Sequence, residues 1–378
     1  MSVVDFDEHK VTTMTIIMPL QGEVNLDKVF PLLEITRIEL KQNRRQTKKY
    51  KIPFCGIPGA ILSARFKGTI RGIIKSTQTR CFLNAITIDI STEEKNVNIK
   101  LSKSKIQMCG ATSVGLARKA ASYIIDKLYT IQDEIDYINA NSVEADRVCD
   151  WLKSVSKGEP IVSSDDEVEE ESEGESESEI DESEACQITK DKYHYLVTIK
   201  KIEEIPDGID KRIAQFLIKL SSDFLRYEDY CCQLNWIRTL NKVIEKPLEV
   251  IDIIKVMVNF NYDLGFYLSR LALAEKINGV NGFTARYENT IDHSVTIELP
   301  YDVPEGMKIT RRKDRVPCHT FLVYRSGLVT QSGPNEELMR PAYNLFNSTI
   351  NSIRNEISRP GVRKLRYKPS PKVKPIIS

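Results

Sequence analysis

Histidine is scarce in this chain. It has four in 378 residues (His9, His194, His293 and His319), and no two stand at a metal-binding spacing. The eight cysteines include no CxxC pair. Cys231 and Cys232 are adjacent, and Cys55, Cys81, Cys109, Cys149, Cys186 and Cys318 are scattered. That spacing fits neither a zinc site nor a disulfide framework, so a reducing compartment is expected. No run approaches the roughly 20 apolar residues of a membrane helix, and no membrane partner is expected. The polar, acidic start MSVVDFDEHK does not read as a secretory signal. No Gly-rich phosphate loop, triad spacing or metal constellation occurs, and GATSVG is too short to argue a nucleotide site. The expectation is a protein that is not an enzyme and uses no cofactor and no metal.

What the chain does have is apolar content, 41% of residues, enough for a large core in two or three domains. Its formal net charge of +1 conceals a strong asymmetry. Residues 165–184 (DDEVEEESEGESESEIDESE) hold 13 acidic residues and no basic one. The remaining 40 acidic residues face 54 basic ones, a surplus of about 14. A basic body with an acidic strip suggests nucleic-acid contact or an acidic interaction segment.

The Ser/Glu-rich stretch 159–187 lacks the apolar surface to offset its ordering entropy and reads as a disordered linker. Two readings of it stand. It is a spacer between halves, or it folds over the basic surface and competes with DNA at high local concentration. Ser164, with acids just downstream, suits an acid-directed kinase, which would add further negative charge. The last 20 residues carry seven Lys/Arg and no acid, a basic tail consistent with a localisation signal or general nucleic-acid affinity. A further basic cluster, 41–51, reads as an exposed loop; its Arg44, Arg45, Lys48 and Lys49 are either phosphate contacts or a solvated rim.

Residues 81–113 alternate apolar and polar side chains in three short stretches, an antiparallel meander. The period then changes. Ala117, Ala120, Ala121, Ile124 and Leu128 define one face of an amphipathic helix. The same order returns at DHSVTIELP, HTFLVYRS and GLVTQSG, followed by a helix from about 335 to 357, with Pro341 in its first turns or at a kink. Overlaying Gly110 on Gly333 places Leu101 on Tyr324, Ile106 on Val329 and Cys109 on Ser332. Segments 13–34 and 255–275 each read as a strand and a short helix. The pattern is that of a diverged duplication or of two unrelated α+β segments. Between the halves, Val148, Trp151, Leu152 and Val155 form one helical stripe and Ile213, Phe216, Leu217, Leu220 and Phe224 another, with a third helix over 229–245. These are a small helical core or a partner-binding surface. The expected division is 1–130 first repeat, 131–158 helical extension, 159–187 acidic linker, 188–250 helical insertion, 251–358 second repeat and 359–378 basic tail.

Several stretches resemble the TATA-box-binding protein family. FLNAITIDIS (82–91) is similar to its strand F-x-x-V-I-x-R-I, and NIKLSKSKIQMCGATS (98–113) to its strand pair L-I-F-x-S-G-K-x-x-x-T-G-A-K. VYRSGLVTQSG (323–333) keeps Ser326-Gly327 and Gly333 of that pair, and TARYEN (284–289) resembles the S-Y-E-P turn. The resemblance covers 13–130 and 251–357, roughly 60% of the chain, and is strongest to the divergent relatives in large DNA viruses. It implies an α+β saddle of two pseudo-repeats, with an antiparallel sheet and helices on the convex face, in a monomer of internal pseudo-twofold symmetry. It also implies a transcription initiation factor that binds A·T-rich promoter DNA in the minor groove and recruits a factor-IIB-like protein and RNA polymerase. The setting would be a viral factory or virion, otherwise a nucleus. The alternative is a scaffold of the same fold that has lost DNA bending.

The resemblance also assigns DNA-binding residues. Phe82 matches a wedge, and Leu101 and Tyr324 stand at two further wedge positions. Asp292 stands at the fourth, where a carboxylate beside phosphates is repelled; the basic loop 308–315 is a replacement for it. Gln107, Cys109, Thr330 and Ser332 occupy the concave-face strand ends. Asn259 and Asn261 are candidates for base edges, and Lys103, Lys105 and Arg325 for phosphates. Each has a plain counterpart: Phe82 as core, Tyr324 as sheet cover, and Lys103, Lys105, Arg118 and Lys119 as a solvated rim.

Overall fold

The computed structural model describes residues 5–36, 54–73, 82–156, 205–223, 230–288, 290–306 and 316–359. The acidic linker, most of the basic tail, the 41–51 cluster, Ser164 and the 308–315 loop lie outside the described residues. The chain divides into two compact units. One, here the N-terminal unit, comprises residues 17–109 and 114–253; the other, the C-terminal unit, comprises 1–16, 110–113 and 254–378.

The N-terminal unit contains the end of β1 (Val11–Pro19), α1 (Leu26–Val29), β2 (Ile61–Phe66), β3 (Thr69–Gly72), β4 (Ala85–Ser91), β5 (Asn96–Ser102), most of β6 (Lys105–Ala111), and α2 (Val114–Ala140). Its strand order is β3-β2-β4-β5-β6-β1, with antiparallel pairing from β3 through β6. Alternation dictates the faces. Ile86, Ile88, Ile90, Val97, Ile99, Leu101, Ile106 and Met108 are buried on one side, toward the stripe of α2, which runs on from Leu128 through Ile131, Ile135 and Ile138. Residue 130, read as a segment end, therefore lies inside a helix.

The intervening helices belong to this same unit. They are α3 (Ser142–Ser156), α4 (Lys211–Asp223) and α5 (Tyr230–Thr239). They pack on α2 and on one another. Polar contacts tie α4 to α2: Tyr137 Oη donates to Asp210 at 2.7 Å, and Arg212 pairs with Glu134 at 3.0 Å. The segment after α5 is tied to α2 as well, the amide of Val243 donating to the side chain of Gln132 at 2.8 Å and that of Leu248 to Tyr129 Oη at 2.8 Å. The third helix expected over 229–245 ends at Thr239; beyond it the chain is irregular, with isolated bridges at Ile244–Val24 and Val250–Leu20. Cys149, buried in α3, is disulfide-bonded. This departs from the expectation that the cysteine spacing fits no disulfide framework.

The C-terminal unit holds the first part of β1, then β7 (Ile254–Asp263), α6 (Arg270–Ile277), β8 (Thr284–Arg286), β9 (Ser294–Pro300), β10 (Cys318–Tyr324), β11 (Leu328–Gly333), α7 (Glu336–Ser352) and α8 (Arg354–Ile357). Its order is β1-β7-β11-β10-β9-β8, antiparallel from β7 through β8. The single helix expected over 335–357 is thus two, separated at Ile353 (φ −99°, ψ 6°), with Pro341 exposed in the second turn of α7. Asn335 caps α7 by accepting the amide of Leu338. Phe321 stacks on Phe346 of α7 at 4.3 Å, and Phe283 meets both rings edge-on. With β3 set aside, each half runs strand, short helix, outer strand, three-strand meander and long helix, and in each the first strand neighbours the last.

No helix among the described residues is long and apolar enough to cross a membrane. Among them, no group of three His, Cys, Asp or Glu stands where it could hold a metal ion.

Candidate nucleic-acid interface

In each unit the strands turn one face to the long helix and the other outward. Strand pairing orders the outward residues into rows. In the C-terminal unit one row reads Asn259, Ser332, Thr320, Glu298, Thr284, and the next Asn261, Thr330, Leu322, Thr296, Arg286. Four sequence-assigned residues, Asn259, Asn261, Thr330 and Ser332, therefore stand side by side. Thr330 Oγ1 donates to Asn261 Oδ1 at 2.8 Å, which leaves the Asn261 amide hydrogens without a partner among the described residues. Asn259 Nδ2 donates to Thr13 Oγ1 at 2.9 Å. The patch is neutral, rich in amides and hydroxyls, and partly exposed. Thr320, Leu322 and Glu298 are neighbours that sequence reasoning left out. Counting in twos from Tyr324 along β10 finds the first two.

The corresponding rows of the N-terminal unit read Cys109, Asn98, Asp89, Ser63 and Gln107, Lys100, Thr87, Arg65. Cys109 and Gln107 are partly exposed, whereas Ser63, Arg65, Thr87, Asp89 and Ser91 are buried. Asp89 is held on both oxygens. It accepts from Ser63 Oγ at 2.8 Å and from Asn98 Nδ2 at 3.0 Å, and Arg65 lies 3.7 Å away. Arg286 and Glu298 make the same diagonal ion pair in the C-terminal unit. Two halves with different sequences thus carry an Arg–carboxylate pair at the same register positions.

The register corrects the wedge assignments. Leu101 pairs with Ile106 across a two-residue turn, Lys103–Ser104. In the other half Val323 pairs with Val329 across a turn longer by one residue, containing Arg325, Ser326 and Gly327. With Ile106 on Val329, Leu101 therefore matches Val323 and not Tyr324. Leu101 is 0% exposed and packs on the helix side, so it is not available as a wedge. Tyr324 matches Ser102 on the outward face and is partly exposed. The same step moves the other wedge. Ala85 faces Ser102 and Ser294 faces Tyr324, so the residue matching Phe82 is Ile291, not Asp292. Phe82 is 45% exposed, with Lys100 Nζ 4.3 Å from its ring centroid; Leu83 is 76% and Ile291 69% exposed. Asp292 instead forms a turn, accepting the Glu288 amide at 2.8 Å through its carboxylate. Leu83 and Ile291 are apolar positions the sequence reading missed.

The assigned cations differ in availability. Lys103 is ion-paired with Glu23 at 2.8 Å. That hydrogen bond raises the lysine's pKa and lowers the carboxyl's. Lys105 and Arg325 are exposed.

No family model matches the chain, and no curated protein matches it. Among solved structures the chain is similar to Methanococcus jannaschii TBP. Identity is 11% and the TM-score 0.33, over 91% of this chain and 98% of that chain.

Proposed function

We propose that the protein is a transcription initiation factor of the TATA-box-binding type, built of two pseudo-repeats. It binds A·T-rich promoter DNA in the minor groove through its outward sheet faces and recruits a factor-IIB-like protein and RNA polymerase. The observation that carries this reading is the neutral patch of Asn259, Asn261, Thr330 and Ser332. In the minor groove A·T pairs present only acceptors, adenine N3 and thymine O2. Amide hydrogens and hydroxyls are donors of matching size, and they carry no charge to desolvate. Phe82 and Ile291 supply exposed apolar side chains at matching positions for insertion between base steps, and Leu83 adds a third beside Phe82. The repeated connectivity and the repeated Arg–carboxylate pair support internal duplication. An origin in a large DNA virus, and action in its cytoplasmic factory, belong to the same reading.

The test is binding to A·T-rich and G·C-rich duplexes at two salt concentrations, with wild type, Phe82→Ala and Asn261→Ala. A·T preference weakened by both substitutions is the expected result. Equal, steeply salt-dependent binding to both duplexes, or none, overturns it. A second reading, a protein-interaction scaffold of the same fold, is favoured by one feature: the outward residues of β2 and β4 are buried. On that reading neither duplex is preferred, and the helices α3 to α5 are the docking surface.

A further inference from the structure

We infer that Glu298 is a specificity-determining residue that selects a G·C pair at one flank of the A·T-rich site, an inference that rests on the minor-groove reading above. Glu298 lies on the outward face, in one row with Asn259, Ser332 and Thr320. Its side chain is 29% exposed, and its Oε2 is held by Arg286. Its Oε1 has no hydrogen-bond partner among the described residues. A carboxylate oxygen is an acceptor only. In the minor groove an A·T pair offers only acceptors, which oppose it. A G·C pair adds the guanine N2 amino group, the one donor of that groove. An acceptor set among donors therefore reads guanine.

Repulsion from phosphate is the objection to any carboxylate in this position. Arg286 answers it, because the pair carries no net charge and the guanidinium is itself well exposed. The related acid in the other half does not read DNA in this way. Asp89 is 4% exposed and both its oxygens are occupied within the sheet. The guanine reading thus belongs to one half alone and gives the DNA site a direction. Its position follows from sheet geometry. Three inter-strand steps separate Asn259 from Glu298. At about 4.8 Å each they span about 14 Å, or roughly four base-pair steps of about 3.4 Å.

The experiment uses the full chain and duplexes with a constant A·T core, with a single G·C pair walked through each flanking position. Each guanine is then replaced by inosine, which lacks the 2-amino group. Expected is one flanking position where guanine improves affinity roughly tenfold over A·T. That gain disappears with inosine. It also collapses to about twofold in Glu298→Gln, whose amide both accepts and donates. The inosine arm uses wild-type protein, so it does not depend on how the variant folds. A·T-preferring binding with no favoured guanine, or a preference that survives inosine or Glu298→Gln, overturns the inference and leaves the minor-groove reading standing. Absence of any A·T preference removes both.

Discussion

Phe82 and His319 show how far a single side chain depends on its neighbours. Phe82 is half-exposed, and its main described contact is the cation of Lys100. Its truncation removes little burial and a cation–π contact of about 0.5–1 kcal/mol. Phe82→Ala is therefore expected to leave the thermal midpoint within a few degrees of wild type while weakening A·T-rich DNA binding several-fold. A large loss of stability in a melting experiment would instead identify it as a core residue. His319 is the opposite case. It is 2% exposed and its ring lies against Tyr301, tilted, at 4.7 Å, with Nδ1 lacking a hydrogen-bond partner. Burial pushes its pKa down from the ordinary 6.5 to about 4. Between those values the unfolded chain binds a proton that the folded chain does not. Stability is intact above pH 6.5, falls as pH drops through the window, and this contribution is lost by about pH 4. The change is about 2 kcal/mol after allowing for partial solvation. Urea midpoints at pH 7 and pH 4.5 check it: His319→Gln is expected to lose less stability between the two than wild type. An equal loss in both would rule out His319 as the titrating group.

At the scale of elements, the two hairpins that close the meanders differ by one residue, and that residue decides which side chains face outward. The longer turn depends on Gly327, whose φ is 84° and whose missing Cβ would lie 2.2 Å from the carbonyl oxygen of Phe266. Gly327→Ala is expected to cost at least about 2 kcal/mol, from strain and from this close approach. Ser104→Ala, in the exposed shorter turn, is expected to change stability by less than about 0.5 kcal/mol. Chemical denaturation of both variants compares them directly. The Phe321–Phe346 stack fastens α7 to β10, and Phe346→Ala is expected to cost about 3–5 kcal/mol by the same measurement. The strands and the stripe of α2 were legible because periods of 2 and 3.6 are local properties. The hairpin lengths were not: a one-residue difference leaves both alternations intact and shows only as cross-strand register.

For the whole molecule, charge is the dominant sequence-level term. The basic surplus of about 14 outside the acidic strip predicts DNA affinity that falls steeply with salt. If the strip competes with DNA, deleting residues 160–186 is expected to raise affinity at low salt and to have little effect at high salt. Unchanged affinity at low salt would leave it as a spacer. The helices α3 to α5 answer a second question at this scale. They share one compact unit with α2, where Tyr137 and Arg212 tie α4 to α2, and Gln132 and Tyr129 hold the segment that follows α5. Sequence reasoning could not assign these partners, since each bond joins residues more than 70 positions apart.

The sequence by itself determined the α+β class, the two meanders each followed by a long helix, and the charge asymmetry. These depend on local periodicity and on composition, which need no knowledge of what packs where. It also singled out Asn259, Asn261, Thr330 and Ser332. Only the tertiary structure brought those four together, buried Leu101, replaced Asp292 by Ile291 at the exposed loop, and closed Asp89 while leaving Glu298 open. Each of those outcomes depends on register and burial, which are set by pairing between strands far apart in the chain. A shift of one residue in that pairing moves a side chain from the core to the outward face.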